Sequence, residues 1–125
     1  MISTEIHIEG SKTMPAISFK NGKLNIIGRS IPCNSKEWFE PLMKVLMLYA
    51  QNPYDTTEIN IDLDYLNSDS NRSMLNLLHF AEQIHGKGKN VIIKWFYKNN
   101  DLSMYDQGSI FSSLIEIPFN FEAVN

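Results

Sequence analysis

Two serines flank an aspartate between a predicted strand and a predicted helix. Ser68, Asp69 and Ser70 follow segment 59–65, whose apolar and polar residues alternate as in a half-buried strand. Apolar residues then recur at helical spacing: Met74, Leu75, Leu77, Leu78, Ala81 and Ile84. The first N–H groups of a helix are unpaired and its dipole favours negative charge, so a phosphate on either hydroxyl would be stabilised there. The junction is a candidate phosphorylation site, although an ordinary helix cap is the simpler interpretation of these residue types.

The other residues that carry chemistry favour structural roles. His79 and His85 lie six positions apart on the predicted helix, which is not the spacing of a metal-binding pair, and Glu82 lies three positions from each. Cys33 is the only cysteine, and no neighbouring base or cation in the sequence would activate its thiol. We therefore expect no catalytic residue, no bound metal and no cofactor.

Composition narrows the class of protein. At 125 residues the chain is long enough for one domain with its own core, and a net charge of −3 gives no basic surface for nucleic acid. A single cysteine, no signal peptide and no long apolar segment predict a cytoplasmic protein without a membrane partner.

The first thirty residues are predicted to form a β meander. Segments 5–9, 16–19 and 23–27 alternate, and Asn21-Gly22 between the last two is a strong signal for a tight hairpin.

Three helices are predicted after the meander. The first has a loose turn over 35–40 and then a regular helix to about Gln51 with Pro41 near its start; the alternative is a helix from Ser35 that is kinked at Pro41. The second spans about Ser70 to His85, with Gly86 at its C′ position and Lys87 and Lys89 near its negative end. The third spans about Leu102 to Ser113 and is weakened by Gly108.

Strands are predicted to alternate with these helices. Val91 to Tyr97 is an almost continuous apolar run, which is typical of a strand covered on both faces, and Leu114 to Phe121 is predicted as a last extended segment interrupted by Pro118. The order of elements favours a mixed α/β sheet of about five or six strands with helices packed on it, and with 59–65 or 91–97 at its centre.

Several blocks of the sequence, in order and with their spacing, resemble the SiaC family of regulatory phosphoproteins. They are Pro15-Ala16-Ile17-Ser18-Phe19 with Asn21-Gly22, Gly28-Arg29-Ser30-Ile31-Pro32 with Asn34-Ser35, Pro41-Leu42, Asp64-Tyr65-Leu66-Asn67-Ser68-Asp69-Ser70, Trp95-Phe96-Tyr97 and Pro118-Phe119-Asn120-Phe121. The resemblance covers nearly the whole chain and implies a STAS-like (SpoIIAA-like) fold, similar to that of anti-sigma-factor antagonists.

The resemblance also implies a function. A serine/threonine kinase phosphorylates members of this family, a PP2C-type phosphatase reverses the reaction, and the unmodified form binds a protein partner. In the characterised type the partner is a diguanylate cyclase, which binding activates. The usual acceptor is a threonine in a Tyr-Phe-Asn-Thr-Ser-Ser motif, and Ser68 occupies its position here, with Ser70 as the alternative. Asp69 replaces a small polar residue of that motif and adds a negative charge beside the acceptor.

The leading hypothesis is thus a non-enzymatic regulatory switch in cyclic di-GMP signalling. Its partner-binding surface is expected around Asn67, Ser68, Asp69, Ser70 and Arg72, with Arg29 and Ser30 in the adjacent loop 28–35 as a second patch. A partner-switching antagonist of an anti-sigma factor or kinase is the alternative. A small enzyme with Ser68 or Cys33 as nucleophile is a third hypothesis, for which the sequence offers no activating base.

Overall fold

The computed structural model describes residues 4–30 and 35–125, with Ser30, Ser35 and Asp69 described in their backbone alone. Strands and helices follow one another in an order that closely matches the prediction. They are β1 (Ile6–Ile8), β2 (Ala16–Lys20), β3 (Lys23–Ser30), α1 (Ser35–Tyr49), β4 (Thr56–Leu66), α2 (Ser68–Gly86), β5 (Asn90–Lys98), α3 (Leu102–Leu114) and β6 (Phe119–Val124). Among the described residues, no helix is both long enough and apolar enough to span a membrane.

The strands form one mixed sheet in the order β1-β2-β3-β4-β5-β6. The first three strands pair antiparallel and β3 to β6 pair in parallel, which confirms the predicted meander and the mixed sheet with β4 and β5 in its interior. Asn21 and Gly22 connect β2 to β3 with φ values of 54° and 76°. Positive φ at both central residues is the geometry of a type I′ hairpin turn, for which Asn-Gly is the preferred sequence.

The hydrophobic core lies on one face of the sheet, under the three helices. Side chains paired across the parallel strands, such as Ile26, Ile61 and Trp95, are fully buried in one cluster with residues of α1, α2 and α3. On β5 the alternate residues Ile92 and Phe96 are only partly buried. The expectation that this strand is covered on both faces is therefore wrong: β5 is apolar on both sides, but the helices cover only one.

The opposite face of the sheet carries a polar network. Asn60 donates hydrogen bonds to Glu58 Oε2 (2.8 Å) and to Asn25 Oδ1 (3.0 Å), and Lys23 Nζ lies 3.5 Å from Glu58 Oε2. The hydrogen bond from Asn60, together with the charges of Lys94 and Lys23, holds the pKa of Glu58 below its usual value despite partial burial. Glu58 is thus partnered by an amide of its own strand and by amines of the two neighbouring strands.

Helix α1 begins earlier than the main expectation. It runs from Ser35 through Pro41 to Tyr49, so the predicted loose turn over 35–40 is wrong and the alternative start at Ser35 is confirmed. Proline removes one backbone hydrogen bond from a helix. Trp38 and Leu42, on both sides of Pro41, are fully buried, and their packing on the core retains the first turns.

Helix α2 ends later than expected. Gly86 is still helical, Lys87 is the C-cap, and the residue with positive φ (85°) is Gly88, so the prediction of Gly86 at C′ is wrong. The ammonium group of Lys87 donates to the Ala50 carbonyl (2.9 Å) and that of Lys89 to Asp55 Oδ1 (3.1 Å). Both lysines thereby bind the segment that follows α1.

Gly108 permits a close approach of α3 to β5. A methyl group at position 108 would lie 2.5 Å from the indole nitrogen of Trp95, which is fully buried and donates a hydrogen bond to the Met104 carbonyl (3.0 Å). Glycine weakens the intrinsic helical preference of α3, but the packing of α3 against Trp95 requires it at this position. Asp101 caps α3 by accepting a hydrogen bond from the Met104 N–H (3.0 Å).

The predicted extended segment from Leu114 to Phe121 is wrong at its start. Leu114 is the last residue of α3, residues 115–117 form a bend, and β6 begins at Phe119 after Pro118. Ile115 and Ile117 in the bend are buried against the core. Their burial explains the apolar pattern that resembles a strand in the sequence.

A carboxylate of α2 binds the start of this bend. Glu82 Oε2 accepts a hydrogen bond from the Glu116 N–H (2.7 Å), and Glu82 Oε1 lies 2.9 Å from His79 Nδ1. These hydrogen bonds, that from Glu116 first, lower the pKa of Glu82 below its usual value because they stabilise the ionised form. Glu82 thus links α2 to the end of α3 through a charge-dependent contact.

We expect Gly108→Ala to destabilise the protein by about 1–3 kcal/mol, because the added methyl group overpacks a site filled by Trp95. Chemical denaturation measures the change. Gly86→Ala is the matched control: it has no atom within 4 Å of the added carbon and no positive φ, so its stability should be unchanged or up to about 1 kcal/mol higher. Equal stability of the two variants would contradict the close contact.

We expect Glu82→Gln to lower stability at neutral pH by about 1 kcal/mol or less, since a charge-assisted hydrogen bond is weakened at a partly exposed site. A carboxyl group whose pKa is lowered in the folded state adds stability at pH values above its ordinary pKa of 4.5. This contribution is lost as the pH falls through the folded-state pKa. The difference from wild type should therefore shrink below about pH 4.5. Denaturant titrations from pH 7 to pH 3 measure it, with Glu40→Gln on the exposed side of α1 as control. A pH-independent difference would exclude the charge as its cause.

Candidate functional site

Asn67 forms the junction between β4 and α2. Its side-chain Oδ1 accepts a hydrogen bond from the Ser70 N–H (3.2 Å), and its carbonyl accepts one from the Asn71 N–H (2.8 Å). Its backbone is extended, with φ −81° and ψ 175°, as is usual for an N-cap. The cap that the sequence assigned to a serine is therefore an asparagine, and α2 begins at Ser68.

The two candidate acceptors occupy opposite environments. Ser68, the first residue of α2, is exposed, whereas Ser70 is completely buried. A kinase active site cannot enclose the Ser70 hydroxyl while the first turn of α2 remains folded. Its burial thus contradicts Ser70 as the alternative acceptor, and also as a residue that touches a partner. The side chain of Asp69 lies outside the described part of the structure.

The helix terminus offers less to a phosphate than the sequence suggests. Asn67 Oδ1 already accepts a hydrogen bond from the Ser70 N–H, one of the four donors that a helix leaves unpaired at its start, while the Asn71 N–H makes the first ordinary helical hydrogen bond to the Asn67 carbonyl. A phosphate on Ser68 therefore meets one unpaired N–H fewer at the helix terminus.

The chain has two arginines, and both are exposed near Ser68. Arg72 lies four residues after Ser68 and so on the same face of α2. Arg29 pairs in the parallel ladder with Tyr65, which lies three residues before Ser68 in the chain. Neither guanidinium forms an ion pair with a residue that the structure describes. Both are available for a phosphate or a carboxylate, the groups that arginine binds with two parallel hydrogen bonds.

The predicted second patch, loop 28–35, is described in part. Strand β3 continues through Ser30, which pairs with Leu66, so Gly28 to Ser30 belong to the sheet and not to a loop. The register shifts between Gly28 and Arg29, a bulge at which Gly28 adopts a φ of 123°. Residues 31–34, which include Cys33, lie outside the described residues.

Helix α3 contributes residues that the sequence did not suggest. Gln107 donates from Nε2 to Asn71 Oδ1 (2.8 Å) and, at the longer distance of 3.3 Å, to the Leu66 carbonyl, which fixes α3 against the junction. Beside these bonds lies a groove of about 310 Å³, which we call the α2–α3 groove. Its lining is Asn71, Arg72, Leu75, Gln107, Ile110 and Phe111. The only signal in the sequence is the pair of apolar residues Ile110 and Leu114, one helical turn apart on the side of α3 away from the core.

The surroundings of the Ser68 hydroxyl bear on whether it could act as a nucleophile. The Ser68 hydroxyl has no hydrogen bond to a histidine or carboxylate among the described residues, so nothing there activates it as a nucleophile. His79 and His85 instead bind Glu82 and the Lys89 carbonyl. Within the described ranges, no three His, Cys, Asp or Glu side chains are grouped to hold a metal ion.

Known proteins similar to this chain share its size and fold. The SiaC family regulatory phosphoprotein model matches residues 8–124. An uncharacterized protein of Pseudomonas aeruginosa is 27% identical over 122 residues, which are 96% of this chain and 97% of the relative. The structure matches SiaC of Pseudomonas aeruginosa with a TM-score of 0.87 and 27% identity, covering 96% of this chain and 98% of the other. It also matches a chain in the crystal structure of the diguanylate cyclase SiaD in complex with its activator SiaC from Pseudomonas aeruginosa (TM-score 0.87, 27% identity, 95% and 99% covered). The family match spans nearly the whole chain and thereby confirms the resemblance: this protein belongs to the SiaC family of regulatory phosphoproteins.

Proposed function

We propose that this chain is a cytoplasmic switch protein whose unphosphorylated form binds and activates a diguanylate cyclase, and that phosphate on Ser68 prevents the binding. The observation that carries the proposal is the exposed Ser68 hydroxyl at the start of α2, with the chain's two exposed arginines nearby. Support also comes from the similar structure of SiaC, which occurs in a complex with the cyclase SiaD as its activator.

In the unmodified protein, the proposed interface combines two exposed cations with the acidic residue Asp69. Arg72 and Arg29 are exposed without ion pairs to described residues, and Tyr65 near the end of β4 is 49% exposed. Arginine and tyrosine are enriched at the centres of protein interfaces, because they combine large contact area with directed hydrogen bonds. A partner surface that carries carboxylates would complement this patch.

Phosphate on Ser68 would make this region more negative without unfolding the site. The modification adds a charge of about −2, and Arg72, one turn along the same helix face, lies within reach of the phosphate. The guanidinium then pairs within the chain and is lost to the partner. Arg72 neutralises only part of the phosphate charge, and burying the remainder against a partner surface without a cation costs several kcal/mol. Since each 1.4 kcal/mol is about tenfold in affinity, a loss of about a hundredfold or more follows.

The proposed regulators are a serine/threonine kinase and a PP2C-type phosphatase. The exposure of Ser68 supports access by both enzymes in the folded protein. Serine in place of the usual threonine keeps the hydroxyl that accepts the phosphate, so Ser68→Thr should also be phosphorylated.

We expect Ser68→Ala to bind the cyclase under all conditions and Ser68→Asp to bind at least about tenfold more weakly than wild type, because a carboxylate only partly imitates phosphate. Immobilised protein captures its partner from a lysate of the source organism, and the purified partner is assayed for cyclic di-GMP synthesis with and without the chain. Ser103→Asp is the matched control, because Ser103 is an exposed serine in the first turn of α3. Phosphate mapped only to other serines, or undiminished binding by the Ser68-phosphorylated chain, would refute the switch. A captured anti-sigma kinase in place of a cyclase would support the alternative function.

We expect Arg72→Glu to weaken binding of the unphosphorylated chain by about tenfold or more. The substitution replaces a cation at the interface by an anion, which repels the carboxylates of the partner. The melting temperature should change little, because Arg72 is exposed and forms no ion pair with described residues. Titration calorimetry with the purified partner measures the affinity, with Lys44→Glu on the exposed side of α1 as the charge-matched control. If both variants bind as wild type does, Arg72 lies outside the interface.

A further inference from the structure

The α2–α3 groove leaves apolar surface in water. Ile110 on α3 is 60% exposed, and Leu75 on α2 and the buried Phe111 line the groove beside it. Polar side chains, Asn71, Arg72 and Gln107, lie at the end of the groove near the junction. An apolar depression with a polar rim is the usual form of a docking site for a protein side chain.

The groove is continuous with the switch residue. Ser68, Arg72 and Leu75 are spaced i, i+4 and i+7 on α2, so they lie in one row along the helix. Arg72 belongs both to this row and to the groove lining. A group added to Ser68 is therefore one helical turn from the polar end of the groove.

Hydrogen bonds hold the two helices that form the groove in place. Within the groove lining, Gln107 binds Asn71 and also the Leu66 carbonyl, and further along α2, outside the lining, Glu82 binds the Glu116 N–H after α3. Because α2 and α3 are fixed relative to each other, the groove exists before a partner binds, which lowers the entropic cost of binding.

We propose that the α2–α3 groove receives a segment of the protein partner that places a large apolar side chain between Leu75 and Ile110 and a carboxylate on Arg72. The inference rests on the proposed function for the existence of the partner. Charge complementarity supports the carboxylate, because Arg72 has no ion pair with a described residue, whereas Asp106, one turn before Ile110, makes the α3 side acidic. The carboxylate therefore lies on the α2 side of the groove.

Phosphate on Ser68 then acts on a named contact. It competes with the partner's carboxylate for the guanidinium of Arg72 and adds negative charge at the polar end of the groove. The apolar walls are unchanged, so the modification blocks the contact at Arg72 and leaves the apolar part of the groove intact. A partner that uses both parts therefore loses affinity through the Arg72 contact alone.

The test compares Ile110→Asp with Met47→Asp. Met47 on α1 is 59% exposed, which is close to the 60% of Ile110, but it lies on a helix that does not line the groove. The probe is the purified partner that the wild-type chain captures, whether or not it is a cyclase. Ile110→Asp should weaken binding at least about thirtyfold, the effect of a central interface residue, while Met47→Asp binds as wild type does. Melting temperatures of both variants establish that they fold, and Ile110→Ser replaces Ile110→Asp if the latter does not.

A second measurement locates the partner's residues. A photo-crosslinking amino acid at position 110 should label a peptide that contains a large apolar residue next to Asp or Glu, and the same probe at position 47 should label none. A partner that binds Ile110→Asp and wild type equally overturns the groove proposal, even if it is a cyclase that the chain activates. A partner that needs Ile110 but is not a cyclase supports the groove and refutes the proposed function. A wild-type chain that binds no protein overturns both.

Discussion

Burial along β4 determines where the β4–α2 junction lies. Thr57, Ile59, Ile61 and Leu63 are buried at alternate positions, with Asn60 buried in the polar network of the opposite face, and then Asp64 and Tyr65 are both exposed before Leu66 is buried again. The extra residue is matched by the register shift between Gly28 and Arg29 on the neighbouring strand. Because Leu66 is buried, Asn67 is positioned to cap α2, and Ser68 is the first exposed residue after them. The exposure of the hydroxyl is thus a consequence of the packing of the sheet.

The same parallel pairing collects charge at this edge. Strands β3 and β4 run in the same direction, so their carboxyl ends meet, and Arg29 comes to lie beside the strand that leads to Ser68. Arg72 reaches the same region through the helix that follows. The two arginines belong to different segments of the chain, so the folded scaffold and not a local motif brings them to this edge.

Features set by neighbouring residues were predictable from the sequence. The Asn21-Gly22 hairpin, the alternation of β4 and the third helix follow from local geometry, and the order of elements gave the mixed sheet. Features decided by distant contacts were not. The burial of Trp38 overrides Pro41 in α1, and Trp95 requires Gly108, which local propensity marks as a defect. The α2–α3 groove depends on Gln107 binding Leu66 and Asn71, residues far from it in the chain, which no periodicity reveals.

The arrangement of the strands also bears on how the chain folds. The β2–β3 hairpin joins two strands that are neighbours in the chain through a two-residue turn, and such hairpins form within about 1–10 µs. The parallel strands are joined through whole helices, so pairs such as Thr56 with Asn90 and Ile93 with Phe119 connect residues that are far apart in the chain. Non-local pairs of this kind slow folding, because the entropy of closing the loop is lost before their contacts form. We therefore expect the hairpin to form before the parallel pairs, and the pairing of Arg29 with Tyr65, which requires the crossover through α1, to be complete only in the assembled sheet. An enzyme that recognises the two arginines together with Ser68 would consequently distinguish the folded chain from a nascent or unfolded one.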